Sequence, residues 1–299
     1  MSAAPELIAT RPLSPALGAE ILGVDLHQPL TPAQEAALRK LLDDRQVLLF
    51  RNQDITVEDQ IRVMRLFGKV SDETHDGSFH TFVSNVLPNG LFGDHELIYH
   101  SDFAFGEYQP PVISLYAVDV GSVAGPTSFA NCTRACAELP DALRRTLEGK
   151  TVVQVARFAG GNSAATSDNR SRMLGLKDLP PDSNFRMSKH PVMKPHPRTG
   201  VPLLFTSVKH TSHIEGLERE ESDRIVRELL ARIYAADNTF THHWQNGDLL
   251  IWDNVATQHA RPGLAGGGKE QRRTLRRVLV SEKTARQMLG DVSYGSSDG

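Results

Sequence analysis

The sequence predicts a mainly β protein, a sandwich or jelly roll with its helices packed outside. Many short runs are rich in β-branched and large apolar residues, and only a few stretches between them have helical spacing. Strand and helix never alternate tightly, as a doubly wound sheet would require.

Taken in order, residues 17–26 (LGAEILGVDL) read as a short strand with a glycine bend. The next stretch, TPAQEAALRKLLDDR, has helical apolar spacing behind a capping threonine, with Glu35 in its first turn. QVLLFRN (46–52) is a buried strand, and ITVEDQIRVMRLFGKV is a second helix, with Thr56 as N-cap and Gly68 as its stop. Residues 70–98 are polar and irregular, the composition of a long active-site loop. PVISLYAVDV (111–120) is a strand, SVAGPT (122–127) a turn, and TRACAELPDALRRTLEG a helix broken at Pro140. TVVQVARF (151–158) alternates as a strand. Residues 160–190, rich in Gly, Ser, Asn, Asp and Pro, read as a second active-site loop or lid. VPLLFTSV is a strand, EREESDRIVRELLARIYA a solvent-facing helix, FTHHW and GDLLIWDN strands, and RRTLRRVLV (272–280) the last strand.

Composition narrows the function. A net charge of −3 gives no reason to expect nucleic acid or an anionic membrane as partner, and no apolar run approaches the ~18 residues that span a bilayer. The N-terminus lacks the basic-then-apolar order of a signal peptide. The two cysteines, Cys132 and Cys136, are too few for a disulfide framework or a zinc site. A cytoplasmic location is the expectation.

Two features carry chemistry. His100-Ser101-Asp102 is an H-x-D pair; in extended chain, residues two apart share a face, so an imidazole and a carboxylate converge. His259 ends GDLLIWDNVATQHARP, where a buried strand is expected to give way to a loop. Two histidines and one carboxylate on one face of an octahedron leave three positions open, the ligand set of non-haem Fe(II) oxygenases. A 2-oxo acid fills two of these and O₂ the third. In RRTLRRVLV, Arg273 and Arg277 share one face, so two guanidiniums point to the same interior unless this is a solvated edge strand. A buried guanidinium needs an anion, and its fork matches a carboxylate. Arg273 would hold the distal carboxylate of 2-oxoglutarate, and Arg277 could reach an acidic substrate.

From LGAEILGVDL through VLLFRNQDIT, FGKV, YHSDFAF, GPTSFAN, HTSHIEGL and GDLLIWDNVATQHARP to RRTLRRV, the chain resembles the taurine dioxygenase and 2,4-dichlorophenoxyacetate dioxygenase family of Fe(II)/2-oxoglutarate enzymes. The resemblance covers nearly the whole chain and implies one domain, 1–299, with a double-stranded β-helix fold. It implies His100, Asp102 and His259 as iron ligands, and Thr127 and Arg273 on 2-oxoglutarate. It places Arg277 near the substrate's acidic group and His210 and the loop holding His75 on the substrate side. Trp252 packs beneath the distal histidine, while Phe103 and Phe105 flank the H-x-D motif as apolar lining. Pro126 departs from the family's usual Gly-Gly-Asp-Thr pattern and removes a backbone donor beside Thr127.

The implied reaction hydroxylates a small anionic substrate, with cleavage following in some relatives, and turns 2-oxoglutarate and O₂ into succinate and CO₂. Desaturation or cyclisation uses the same ligands. Asp102 argues against a halogenase, which needs a small residue there. Family analogy implies a homo-oligomer. Two competing classes are a catalytically silent β-sandwich that binds a small acid and a zinc hydrolase on a cupin-like barrel. The first would lack an iron ligand or Arg273, and the second leaves Arg273 without a role.

Overall fold

The computed structural model describes residues 8–73, 76–157, 185–263, 269–284 and 287–288. The chain opens with β1 (Ala9–Pro12), β2 (Ala19–Leu22), α1 (Pro32–Arg45), β3 (Val47–Phe50) and α2 (Val57–Met64). Next come β4 (Thr81–Ser84), β5 (Leu91–Phe92), β6 (Leu97–His100), β7 (Val112–Val120) and β8 (Thr127–Asn131). Two short helices, α3 (Cys132–Ala137) and α4 (Asp141–Leu147), lead to β9 (Thr151–Arg157) and β10 (Phe185–Pro191). Then follow β11 (Met193–Pro195), β12 (Pro202–Leu204), β13 (Thr211–Ile214) and α5 (Arg219–Ile233). The last strands are β14 (Thr239–His242), β15 (Leu249–Asp253), β16 (Thr257–Arg261) and β17 (Arg273–Val280).

An eight-stranded sheet, ordered β1-β2-β3-β15-β7-β17-β4-β5, faces a four-stranded sheet ordered β14-β8-β16-β6. Between them lies a core built by alternate residues of both sheets, among them Val47, Leu49, Ile113, Leu115, Phe129, Leu250, Trp252 and Leu275. This is the jelly roll expected from the many short strands. The opposite face of the large sheet is covered by α1 and α2, whose Leu38, Leu42, Val63 and Met64 pack on Leu48, Phe50, Ile251 and Val278. A third cluster joins α3, α4 and α5 to β9 and β12. No helix among the described residues is long and apolar enough to cross a membrane.

Local signals account for most elements. Thr31 caps α1 in a reciprocal capping box, but its partner is Gln34 rather than Glu35, because only Gln34 stands at the third helical position. Thr56 and Asp59 make the same box for α2. That helix ends at Met64, and a turn carries the chain to Gly68, where φ is +145° and an added Cβ would lie 2.6 Å from Val280. Cys132 and Cys136 lie buried and unbridged on α3, and burial pushes the Cys132 thiol up to about 12.

Several expectations need correction. Residues 70–98 are not wholly irregular: β4, β5 and the first half of β6 fall within them, and β4 pairs in register with β17. Of the expected loop at 160–190, residues 160–184 lie outside the described residues, and the remainder is β10, paired antiparallel with β9. Helix α5 is half-buried, with Ile225, Val226, Leu229, Leu230 and Ile233 turned inward. His259 does not end a strand but sits inside β16. Finally, β17 is no edge strand; it lies between β7 and β4, with every residue buried.

Candidate active site

The register of the small sheet assembles the site. Strand β16 runs between β8 and β6, so His259 lies directly opposite His100 on one side and Phe129 on the other. The imidazole centroids are 4.4 Å apart. His100 Nδ1 is 2.7 Å from the Ile98 carbonyl oxygen; donating its proton there leaves the Nε2 lone pair free. That Nε2 stands 3.2 Å from Asp102 Oδ1, and His259 Nε2 stands 3.7 Å from the same oxygen. One ligand atom from each residue lies within 4.8 Å of the others, the spacing of a shared metal ion.

Asp102 is past the end of β6, so its convergence on His100 comes from a turn rather than from extended chain. Asn254 fixes that turn: its side chain accepts from the Asp102 amide (2.9 Å) and donates to the Asp102 and Pro110 carbonyls (both 3.0 Å). The neighbouring residues of the Trp-Asp-Asn segment divide the remaining work. Trp252 packs 5.2 Å from the His259 ring, and Asp253 accepts from the amides of Val255 and Ala256, which turns β15 into β16. Phe103 follows at φ 60°, a left-handed conformation that a phenylalanine adopts only where its surroundings hold it.

A cavity behind the three ligands is lined by Val83, Leu115, Thr127, Arg261, Arg273 and Arg277 among others. Arg273 is 2% exposed. Its Nη2 donates to Thr127 Oγ1 at 3.0 Å, a hydroxyl that also accepts from Trp244 Nε1 at 3.0 Å. Its Nε and Nη1 meet no partner among the described residues. Two buried guanidinium donors on a residue that lines a cavity suit a carboxylate there. Arg261, also buried, was not anticipated from sequence; standing two residues after His259 on the same strand, it could have been read from period two.

Arg277 is committed differently from the expectation. Its Nη2 donates to Asp102 Oδ2 (2.9 Å) and its Nη1 reaches Glu73 Oε1 (3.0 Å), all three side chains being largely buried. Glu73 lies in a segment without periodic pattern, which is why sequence reading missed it. Burial pushes its carboxyl above the usual range, against the pull of Arg277. His210 packs edge-on to His100 at 6.3 Å and to Phe105 at 5.2 Å, and Phe103 lies 5.9 Å from Phe105. These residues line one flank of the ligand set. His75 lies outside the described residues.

The electrostatics keep the ligands ready for a cation. Burial, then the charge of neighbouring His100, pushes His259 down to about 3, and burial lowers His100 as well. Burial opposes ionisation of Asp102, but Arg277 and both histidines hold it well below the usual carboxylate range. At neutral pH all three donors are therefore unprotonated. The stability linkage has one sign: below about 6.5, where an unfolded histidine takes up a proton, folded His259 does not until about pH 3. The metal-free protein is expected to lose stability across that window, with His259 alone contributing about 2 kcal/mol by pH 5. Thermal unfolding at pH 7 and pH 5 checks this; an unchanged midpoint would contradict it.

Residues 9–279 match the family model described as taurine catabolism dioxygenase TauD, TfdA family. The chain is 27% identical over 274 residues to the alpha-ketoglutarate-dependent 2,4-dichlorophenoxyacetate dioxygenase of Cupriavidus pinatubonensis, covering 84% of this chain and 91% of that one. It is 27% identical over 294 residues to the alpha-ketoglutarate-dependent sulfate ester dioxygenase of Pseudomonas putida, covering 96% and 94%. Among solved structures, AAD-2 in complex with Mn(II) and N-oxalylglycine superposes with a TM-score of 0.69 at 26% identity, covering 91% of this chain and 96% of that one. With a match that spans all but the two ends, a jelly roll, and a His-Asp-His cluster over a buried arginine, the chain belongs to the TauD/TfdA family of dioxygenases.

Proposed function

We propose that the protein is an Fe(II)- and 2-oxoglutarate-dependent dioxygenase that hydroxylates a small organic substrate. One observation carries this reading: three converging metal donors share a cavity with a buried guanidinium whose Nε and Nη1 have no partner among the described residues. The donor set fits the metal, because two imidazoles and one carboxylate leave three positions open, where a structural zinc site would close with a fourth protein ligand. The cavity fits the 2-oxo acid, because Arg273 offers a fork to a carboxylate, with the Thr127 hydroxyl beside it.

His100, Asp102 and His259 would hold the iron, and Arg273 and Thr127 the distal carboxylate of 2-oxoglutarate. With both bound, the centre supplies the oxidising chemistry, converting 2-oxoglutarate and O₂ to succinate and CO₂ while the second oxygen atom goes to a substrate C–H bond. The chain supplies the rest. Arg277 occupies Asp102 Oδ2 and leaves Oδ1 facing the two imidazoles, so the carboxylate presents one oxygen to the metal. Asn254 and Trp252 hold two of the ligands in place. Phe103 and Phe105, both buried, keep water from that flank.

Anaerobic titration with Fe(II) and 2-oxoglutarate tests the reading. A weak visible charge-transfer band should form, and it should fail to form with succinate, which lacks the keto oxygen. Iron binding without a band would remove 2-oxoglutarate from the proposal.

A further inference from the structure

The cation that meets the substrate is a separate question, and it rests on the dioxygenase reading above. Arg277 was the expected candidate, yet it already serves two carboxylates, Asp102 and Glu73. When a metal takes Asp102, Glu73 still faces the guanidinium, so Arg277 brings little uncompensated charge to the substrate side.

Lys209 is in the opposite condition. It is 7% exposed, and among the described residues its ammonium group has no hydrogen-bond or ion-pair partner. It stands in a turn between β12 and β13 that is fixed on every side. The Ser207 amide donates to Thr211 Oγ1 (2.8 Å), the His210 amide to Ser207 Oγ (3.1 Å), and the Val208 amide to Tyr234 Oη (3.0 Å). The next residue is His210, whose ring packs on His100. The charge of Lys209 acts on His100, His210 and His259, and Asp102 is the acidic group that acts on it in return. Its neighbour His210 places it at the Phe105–His210 flank of the metal cluster, and the lining of the Arg273 cavity does not include it.

A largely buried ammonium with no partner among the described residues is costly to keep charged. Burial brings Lys209 down to about 8, so it is still mostly charged at neutral pH. We infer that Lys209 is the specificity-determining residue that receives the single anionic group of the substrate, a monoanionic organic acid or sulfate ester, while Glu73 keeps Arg277 from that role. An anion placed there compensates the charge of the buried ammonium, and it holds the substrate next to the ligand set. Lysine suits this use, since a compact ammonium accepts one oxyanion without demanding a planar fork.

The test uses the full chain as its anaerobic Fe(II)/2-oxoglutarate complex, with the charge-transfer band as readout. Two matched pairs serve as probes: phenoxyacetate against phenoxyacetamide, and n-hexyl sulfate against n-hexanol. In wild type the anions should shift the band at concentrations at least tenfold lower than their neutral partners. Lys209→Met should abolish that preference and Lys209→Arg should keep part of it. The Met variant retains the stem length, and its metal-free melting temperature should not fall. No anion preference in wild type, an unchanged preference in Lys209→Met, or a fall in its melting temperature would each overturn the assignment. Absence of the band in wild type would instead overturn the dioxygenase reading.

Discussion

Asp102→Ala is expected to abolish turnover, by about a thousandfold or more, and to leave the protein folded. The two outcomes separate because Asp102 is central to the ligand set but not to the scaffold. Its backbone is held by Asn254 through two hydrogen bonds that do not involve the carboxylate. Arg277, stripped of one carboxylate, keeps Glu73 on its other nitrogen, so the change does not strand a buried charge. What disappears is the oxygen that both imidazoles face. Loss of outer partners of a metal ligand costs roughly 10–100-fold in affinity or activity, and loss of the ligand itself should exceed that. Iron content after gel filtration, turnover and the far-UV circular dichroism spectrum check the three parts. A variant that keeps its iron and its activity would remove Asp102 from the centre.

The sequence revealed this site unevenly, and the reasons are physical. His100 and His259 could be read because each sits in or beside an apolar run that must become a strand. The Trp-Asp-Asn segment was read as the end of a strand, whereas Asp253 turns the chain there. Pairing of β6 with β16 was not legible, since register across non-adjacent strands depends on which loops close over them. Arg273 and Arg277 were visible as a period-two pair on β17, but their fates diverge for a reason the pattern could not contain. Arg273 faces a cavity and Arg277 faces Glu73, a residue from a stretch without periodicity. Lys209 escaped notice in the same way. A single lysine in a polar turn reads as solvated, and only its burial makes it unusual. The fold class was easier, because many short alternating runs leave few ways to bury both faces of so many strands. Short strands such as β1 and β11, with little apolar content, were missed.

Arg273→Met should raise the concentration of 2-oxoglutarate needed for half-saturation by about two orders of magnitude or more. Breaking a buried charge pair costs roughly 3–5 kcal/mol, which corresponds to a factor of about 10² to 10³·⁵. Iron binding itself should survive, since Arg273 touches Thr127 and Trp244 but none of the three metal donors. The stability effect has the less intuitive sign. In the absence of 2-oxoglutarate the guanidinium is buried with two donors unpaired among the described residues, and burial together with nearby Arg261 pulls its pKa well below the usual value. Replacing it with an uncharged chain of similar length should therefore leave the melting temperature of the ligand-free protein unchanged or raise it. Only the increment that 2-oxoglutarate adds to wild type should vanish. Arg273→Lys separates charge from shape: an ammonium restores attraction but not the two-point fork, so its affinity should fall between wild type and the Met variant. If Arg273→Met instead destabilised the ligand-free protein while binding 2-oxoglutarate normally, the arginine would be a structural strut. The carboxylate would then have to be held elsewhere in the same cavity, with Arg261 the next cation in line.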